Sequence, residues 1–202
     1  MRRLLVATTN PHKLREIRGV LAGADVELIG LDALPPIAEP DETGHTFQEN
    51  ARLKARYYAE ASGMLTVAED SGLVIDALDG EPGVRSARFL RHNATYPERF
   101  EAIVRRLAAR PDRSRTARFV CALAVVSDRG VVFETTGTVD GEIVTERRGN
   151  AGFGYDPIFY YPPYRATLAE VTEDEKLQIS HRGHAFRALG CWLEAQREDG
   201  ST

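Results

Sequence analysis

The start of the chain joins a short apolar strand to an amphipathic helix through a polar turn. Residues 4–8 are apolar or β-branched, as in a buried strand, and apolar residues recur at helical spacing from Pro11 onward. Asn10 is a good N-cap residue, and proline suits the first helical position that follows it. Because a strand that runs directly into a helix is half of an α/β unit, this start predicts a sheet with helices packed on it.

The rest of the chain alternates in the same way before longer strands follow. Further strands are predicted over residues 26–31, 65–68, 73–78, 115–126, 131–144 and 157–161, and further helices over 46–62, 96–110 and 181–196. A Thr46–Glu49 capping box opens the second helix. The acidic segment 69–72 separates two short strands, and a turn is predicted near residues 140–141. The fold class is therefore α/β, with a mixed sheet flanked by helices.

Size and composition indicate a globular protein that acts on small molecules. The 202 residues, 43% of them hydrophobic, fit a single domain over residues 1–202, or one domain with two lobes. A net charge of −4 argues against polymeric nucleic acid as a partner, although a local basic pocket can still hold one nucleotide. No signal peptide or membrane-spanning stretch is evident, so a cytoplasmic protein with no membrane partner is expected. Cys121 and Cys191 lie in apolar patterns, and both are predicted to be buried.

The opening turn is the first of four stretches in which polar groups concentrate. It consists of Thr8, Thr9, Asn10, Pro11, His12 and Lys13. It contains no glycine, so it is not a glycine-rich phosphate loop. The threonine hydroxyls, the asparagine amide and the N–H groups of the helix start could face an anion, which the helix dipole and the lysine charge would favour. The alternative is an ordinary N-cap followed by a solvated lysine.

Two adjacent carboxylates, Glu69 and Asp70, form the second stretch. At the end of an apolar strand they are costly without a cation, and like charges this close resist joint ionisation. Oxygen ligands of this kind suit Mg²⁺ or Mn²⁺, and Asp41 and Glu42 in the preceding proline-rich loop could complete such a site. The alternative is a solvent-exposed acidic turn.

Asn50 and Lys54 fall on the apolar face of the helix predicted over residues 46–62. Polar groups on such a face need partners. The pattern leaves three arrangements open: the two side chains pair internally, the lysine reaches solvent with its charged end, or both point into a cleft. In the last case they are candidate substrate-binding residues.

The third stretch is a glycine-rich loop over residues 149–157. Its three glycines permit close approach of the backbone to a ligand. Phe153 and Tyr155 could stack on a nucleobase, and Asp156 could accept hydrogen bonds from the edge of its ring. The glycine spacing is not a dinucleotide-binding fingerprint, because the helix that such a fingerprint requires does not follow.

The fourth stretch lies at the start of the last predicted helix. Ser180 can cap this helix, which leaves His181 and Arg182 in its first turn. Cations at a helix N-terminus oppose the helix dipole, and a bound anion would offset that cost. The alternative is a surface salt bridge with the acidic residues 173–175.

The four stretches together offer carboxylates for a metal, basic side chains for phosphates and an aromatic loop for a nucleobase. This combination fits a nucleoside triphosphate with Mg²⁺. The chain has no P-loop signature and no kinase signature set. It is similar to the Ham1 family, also called the RdgB or inosine triphosphate pyrophosphatase family. The similarity rests on ATTNPHKLREI, DETGHTFQENARLKA, AEDSGLVIDAL with GEPGVRSARF, NAGFGYDPIF and EKLQISHRGHAF. These motifs occur in the family's order and cover nearly the whole chain.

This resemblance implies a two-lobed α/β fold with a long central mixed sheet and a substrate cleft between the lobes. It also implies a cytoplasmic homodimer. The implied reaction is Mg²⁺-dependent hydrolysis of ITP, dITP and XTP to the monophosphate and pyrophosphate, with Mn²⁺ as a substitute metal. The alternatives are a Maf-type pyrophosphatase that acts on pyrimidine or modified nucleotides, and a nucleotide-binding module without catalysis.

The resemblance also implies roles for individual residues. Asp70 is the catalytic base and a metal ligand, and Glu42 is favoured over Asp41 as the second metal ligand. Glu69 stands where many members have aspartate and is a further candidate metal ligand. Thr9 stands where many relatives have glycine. The residues implied to bind substrate are Thr8, Thr9, Asn10, Pro11, His12, Lys13, Ser71, Phe153, Gly154, Tyr155, Asp156, Lys176, His181 and Arg182.

Overall fold

The computed structural model describes residues 2–91 and 93–198. Its strands are β1 (Arg2–Val6), β2 (Val26–Gly30), β3 (Thr66–Ile75), β4 (Thr116–Ser127), β5 (Gly130–Ile143), β6 (Phe159–Tyr161) and β7 (Ala166–Thr167). Its helices are α1 (Pro11–Val20), α2 (Phe47–Ser62), α3 (Tyr96–Ala108), α4 (Glu173–Ile179) and α5 (His181–Glu198). Among these described helices, none combines the length and the apolar character that a bilayer crossing requires.

The described strands form one mixed sheet with the order β2-β1-β3-β4-β5-β6-β7. Strand β1 pairs in parallel with β2 and with β3. Strand β6 pairs antiparallel with β5 and with β7. The parallel part contains the strand–helix–strand units that the start of the chain predicted, so the expected α/β class with helices flanking a mixed sheet is confirmed.

The described residues divide into two compact units. The first comprises residues 2–70, 121–137 and 181–198, and the second comprises 71–91, 93–120 and 138–180. In the first unit, apolar residues of β1, α1 and β3 pack with those of α5. In the second unit, apolar residues of α3 pack with those of the segments around β6. Each unit therefore has its own hydrophobic core.

Helix α2 begins as predicted. The Thr46 hydroxyl accepts a hydrogen bond from the backbone N–H of Glu49, and the Glu49 carboxylate accepts one from the backbone N–H of Thr46. This capping box satisfies N–H groups that the helix itself leaves unpaired. The helix ends at Gly63, which adopts a left-handed conformation with φ of 66°.

A predicted break between two strands and a predicted turn are both wrong. Strand β3 runs without a break through the acidic segment 69–72, because both carboxylates there find partners inside the protein. Strand β5 likewise continues through residues 140–141. Gly141 is needed there for close packing: a Cβ on this residue would lie 2.4 Å from the backbone oxygen of Tyr160. Glycine in this segment thus marks a close approach of the backbone and not a turn.

The two cysteines differ in exposure. Cys121 is buried in β4, as predicted, whereas Cys191 is exposed, so its predicted burial is wrong. Leu189 and Leu193 of α5 face the core, and Cys191 is two positions from each of them. Because two positions on a helix correspond to roughly 200° of rotation, Cys191 lies on the opposite face of α5.

Candidate active site

The candidate site residues are distributed over both units. The first unit contains the opening turn with Thr8, Thr9, Asn10, Pro11, His12 and Lys13, and also Asp41, Glu42, Asn50, Lys54, Glu69, Asp70, His181 and Arg182. The second unit contains Ser71, Phe153, Gly154, Tyr155, Asp156 and Lys176.

The opening turn is an N-cap built from side chains. Oδ1 of Asn10 accepts hydrogen bonds from the backbone N–H groups of His12 (2.9 Å) and Lys13 (3.3 Å). The Thr8 hydroxyl accepts a hydrogen bond from the backbone N–H of Asn10 at 3.2 Å. Because these groups satisfy one another, the exposed Thr9 hydroxyl is the polar group of the turn best suited to a phosphate, and the Lys13 ammonium, which contacts Glu69, adds positive charge.

Asp70 is held from α2 by two side chains one helical turn apart. Nδ2 of Asn50 donates a hydrogen bond to Asp70 Oδ2 at 3.0 Å, and Lys54 Nζ lies 3.4 Å from Asp70 Oδ1. Asn50 is fully buried, and its Oδ1 accepts a hydrogen bond from the backbone N–H of Gly44 at 2.8 Å. The Asn50 side chain therefore connects the loop that carries Glu42 with the carboxylate of Asp70.

The carboxylates of Glu42 and Asp70 both contact the ammonium group of Lys54. Lys54 Nζ lies 2.6 Å from Glu42 Oε1 as well as 3.4 Å from Asp70 Oδ1. Asp41, the neighbour of Glu42, is exposed. Of the three arrangements that the sequence left open for Asn50 and Lys54, internal pairing is the one present.

This environment changes the proton affinity of both partners. Burial raises the pKa of Asp70, and the charge of Glu42 raises it further, while Lys54 and Asn50 act in the opposite direction. Burial alone would lower the pKa of Lys54, but the charges of Asp70, Glu42 and Glu69 raise it overall. Asp70 is therefore a stronger base than an ordinary aspartate, beside a lysine that keeps its charge.

The pair formed by Glu42 and Asp70 fits a divalent cation. Their shared contact with the Lys54 ammonium shows that these two carboxylates accommodate positive charge. Among residues 2–91 and 93–198, no group of three or more histidine, cysteine, aspartate or glutamate side chains could hold a metal alone. Two carboxylates suffice for Mg²⁺ when the substrate phosphates and water supply the other ligands.

Glu69 has different neighbours, because consecutive residues of a strand point to opposite faces of the sheet. Glu69 Oε1 accepts from Lys13 Nζ at 2.9 Å, from Arg182 Nη2 at 3.1 Å and from Arg182 Nε at 3.3 Å. Arg182 Nη1 donates to Glu16 Oε2 at 2.6 Å. Glu69, Glu16 and Arg182 are 4%, 5% and 1% exposed. The alternative of a surface salt bridge for Arg182 is therefore wrong.

These ion pairs favour the charged forms of Glu69 and Arg182. Burial alone would raise the pKa of Glu69, but Lys13, Arg182 and Lys54 hold that pKa well below its ordinary value. The charges of Glu69 and Glu16 raise the pKa of Arg182 in spite of its burial. Sequence reasoning missed Glu16. The available signal was a charged residue directly before Ile17, which α1 buries.

In the second unit, Asp156 fixes the glycine-rich loop. Asp156 Oδ2 accepts from Lys176 Nζ at 2.6 Å and from the backbone N–H of Phe153 at 2.7 Å. Lys176 Nζ also lies 4.7 Å from the centre of the Phe153 ring. Gly152, with φ of 69°, lets the loop close around the carboxylate, because a Cβ there would lie 2.2 Å from Asp156 Oδ2.

The aromatic residues of this loop have different surroundings. Phe153 is half-buried, whereas Tyr155 is 3% exposed. The Tyr155 ring packs edge-on against Tyr96 with centroids 5.3 Å apart, and its hydroxyl donates to the backbone oxygen of Ser86 at 2.9 Å. The structure thus places Tyr155 in the core and leaves Phe153 as the ring with an accessible surface. Gly154 lies between them and is half-buried.

Two further candidates, Ser71 and His181, are half-buried and buried, respectively. Ser71 directly follows Asp70 in β3 and is half-buried. His181 is the first residue of α5 and is 5% exposed.

Comparisons with known proteins agree with this picture. Residues 4–192 match the model of the Ham1 family. A dITP/XTP pyrophosphatase of Halalkalibacterium halodurans is 42% identical over 194 residues, which are 96% of this chain and 100% of that protein. The dITP/XTP pyrophosphatase of Symbiobacterium thermophilum is 45% identical over 199 residues, 98% of each chain. The structure of a HAM1 protein from Coxiella burnetii superposes with a TM-score of 0.87 at 40% identity, over 96% of this chain and 100% of that one.

The family match covers nearly the whole chain and includes every candidate residue of both units. The structural match extends over the same length. This chain belongs to the Ham1 family.

Proposed function

We propose that this protein hydrolyses non-standard purine nucleoside triphosphates, namely ITP, dITP and XTP, to the monophosphate and pyrophosphate. The relatives named dITP/XTP pyrophosphatase support the reaction and its substrates. The observation that carries the proposal in this chain is that the carboxylates of Glu42 and Asp70 both contact the ammonium group of Lys54. The opening turn adds groups that are suited to phosphates.

Asp70 is the catalytic base in this proposal. Asn50 donates to Oδ2 of Asp70 at 3.0 Å, and Lys54 Nζ lies 3.4 Å from Oδ1, so Oδ1 has the longer contact and is assigned the proton of the attacking water. The water oxygen bonds to the α-phosphorus, and the bond from that phosphorus to the bridging oxygen of the β-phosphate breaks. Pyrophosphate then leaves. The raised pKa of Asp70 suits this role, because a stronger base takes the proton more readily.

We propose Mg²⁺ as the physiological cofactor, held by Glu42 and Asp70, with Mn²⁺ as a substitute. When bound, such a cation supplies positive charge that offsets the charge developing on the phosphate oxygens. Glu42 and Asp70 would hold the cation, and Lys54, which contacts both carboxylates, would be placed to contribute positive charge toward the phosphates. Lys13 and the Thr9 hydroxyl bind phosphate oxygens from the opening turn.

The purine ring is assigned to the residues around the glycine-rich loop. Phe153 offers a ring for stacking, and the Asp156 carboxylate is held in place by Lys176. Hypoxanthine and xanthine carry an oxygen at the six-position, where adenine carries an amino group. A donor from His181 or Arg182 to that oxygen would be left unpaired by adenine, and such a mismatch costs orders of magnitude in rate.

A panel of triphosphates tests this function. The purified protein is incubated with Mg²⁺ and ITP, dITP, XTP, GTP, ATP, dTTP or UTP, and pyrophosphate, orthophosphate and monophosphate are each quantified. The expected result is equal release of monophosphate and pyrophosphate from ITP, dITP and XTP. Preference for dTTP or UTP would indicate a Maf-type activity instead, and binding of ITP without turnover would indicate a binding module.

We further propose a cytoplasmic homodimer, on the family resemblance. Light scattering coupled to gel filtration tests the oligomeric state: a mass near 45 kDa is expected, twice the 22.4 kDa of the chain. A mass near that of one chain would contradict it.

A further inference from the structure

Four charged side chains of the first unit form a closed cluster, here called the Glu69 cluster: Lys13, Glu16, Glu69 and Arg182. Lys13 and Glu16 are three residues apart on α1, so their side chains leave the helix on neighbouring faces. Lys13 contacts Glu69, Glu69 contacts Arg182, and Arg182 contacts Glu16. The ion pairs thus lead from α1 through β3 and α5 back to α1.

The charges of this cluster balance, with two carboxylates and two cations. A buried ion is expensive unless its partners compensate it, so the removal of any one member leaves an uncompensated charge. Lys13 and Arg182 both lie in the first turn of their helices, where the dipole disfavours a cation. The carboxylates of Glu16 and Glu69 offset that cost and determine where the two cations stand.

Glu69 also differs from Glu42 and Asp70 in what its oxygens contact. Its Oε1 receives three N–H donors, from Lys13 and Arg182, and its Oε2 lies 3.6 Å from the Sγ atom of Cys121. A metal ion at Glu69 would have to displace several protein donors at once. Glu42 and Asp70 instead share the single ammonium of Lys54, at the end of a flexible chain.

We propose that Glu16 and Glu69 are positioning residues, which hold Lys13 and Arg182 where the nucleotide needs them, and that Glu69 is not a metal ligand. The proposal rests on the proposed function, because it takes Lys13 and Arg182 as nucleotide-binding residues. The Glu16 carboxylate contacts Arg182, so an effect of Glu16 on nucleotide binding is the distinctive expectation.

The test compares four isosteric variants: Glu16→Gln, Glu69→Gln, Glu42→Gln and, as the matched control, the exposed Glu60→Gln. Three quantities are measured for each. They are kcat and KM for ITP and ATP, the affinity for Mn²⁺ by water proton relaxation at saturating pyrophosphate, and the thermal unfolding midpoint.

We expect Glu42→Gln to weaken Mn²⁺ binding about tenfold or more, whereas Glu16→Gln and Glu69→Gln keep it within about twofold of wild type. The last two variants should raise KM for ITP about tenfold and reduce the preference for ITP over ATP, with kcat changed less than KM. Glu60→Gln should change none of these quantities. Glu69→Asp keeps the charge and should recover part of the KM.

Two results would overturn the proposal. One is a loss of Mn²⁺ affinity in Glu69→Gln as large as that in Glu42→Gln. The other is an unchanged KM and unchanged ITP preference in a folded Glu16→Gln or Glu69→Gln protein. If the glutamine variants do not fold, Glu69→Asp decides between the same outcomes. If the wild-type protein releases no pyrophosphate, the proposed function fails, and ITP affinity by calorimetry replaces KM in the comparison.

Discussion

Glu69 and Asp70 are neighbours in β3 and carry the same charge, yet their surroundings differ in almost every respect. Glu69 faces Lys13 and Arg182 and has a lowered pKa, whereas Asp70 faces Asn50 and Lys54 and has a raised one. The difference follows from strand geometry, which sends consecutive side chains to opposite faces of the sheet. On one face, two protein cations hold the pKa of Glu69 low, and on the other, burial and the charge of Glu42 outweigh Lys54 and raise the pKa of Asp70.

The largest expected effect comes from removing the reactive side of this comparison. Asp70→Asn should lower kcat for ITP by about 10³ to 10⁴, because the variant has no base for the attacking water. Its unfolding midpoint should stay equal or rise, by up to about 4 °C, because burial disfavours the ionised form of Asp70. Steady-state kinetics and thermal scans measure both.

Asp128→Asn, in the exposed turn between β4 and β5, is the matched control and should alter neither quantity. An Asp70→Asn protein that retains near wild-type turnover would remove Asp70 from the mechanism.

The opposite side of the comparison should dominate stability. Arg182→Met leaves Glu16 and Glu69 buried without their shared cation, so we expect a loss of about 3–5 kcal/mol in the free energy of unfolding. Arg118→Met removes an exposed ion pair with Asp76 and should cost less than about 1 kcal/mol. Urea denaturation of both variants makes the comparison. Equal losses would mean that burial of the Glu69 cluster does not matter.

The two carboxylates should also respond to pH with opposite signs. The folded-state pKa of Glu69 is lowered, so its contribution to stability is present above its unfolded pKa and is lost as pH falls through the folded value. The folded-state pKa of Asp70 is raised, so its contribution is present below its unfolded pKa and is lost as pH rises through the folded value. Glutamine and asparagine mimic the protonated carboxyls, so the unfolding free energies of Glu69→Gln and Asp70→Asn should approach wild type near pH 3 and diverge from it toward pH 8 in opposite directions. Glu69→Gln should become less stable than wild type, and Asp70→Asn should stay equal or become more stable.

Activity should fall on the acid side as Asp70 becomes protonated. Asn50→Asp places another carboxylate beside Asp70 and should move this acid limb of kcat upward by about one pH unit, equivalent to about 1.4 kcal/mol. A limb that stays in place would mean that another group titrates.

The smallest expected effect concerns the reactivity of Cys121, the thiol next to Glu69. Burial and the charge of Glu69 raise the pKa of the Cys121 thiol well above its ordinary value, so this thiol should resist alkylation in the folded protein. Cys191 is exposed and should react at once. Thiol titration should count one reactive cysteine in native protein and two in denaturant. Rapid modification of Cys121 in the native protein would show that the reagent reaches the buried surroundings of Glu69.

Local pattern named the candidates on the Asp70 side of this comparison, although it left open how Asn50 and Lys54 pair. The capping box at Thr46 sets the register of α2, and the spacing of four residues then places Asn50 and Lys54 on one face. The proline-rich loop before it supplied Glu42 as a candidate. These features lie within about thirty residues of Asp70, so sequence spacing constrains them.

The other side depends on contacts between distant parts of the chain. Arg182 is separated from Glu69 by 113 positions and from Glu16 by 166. No spacing rule relates such residues, and Glu16 alone resembles any charged residue on a surface helix. For the same reason, the sequence pattern did not predict that β3 continues through residues 69–72. An acidic segment within a buried strand is tolerated only when cations from distant parts of the chain reach it.

The Lys54 ammonium has a consequence for how the two carboxylates beside it are tolerated. Its single positive charge contacts both Glu42 and Asp70 in the folded chain and offsets part of their mutual repulsion. Zinc-finger domains, by contrast, stay unfolded until their metal binds. Here a side chain of the protein itself, Lys54, supplies positive charge that partly compensates the two carboxylates.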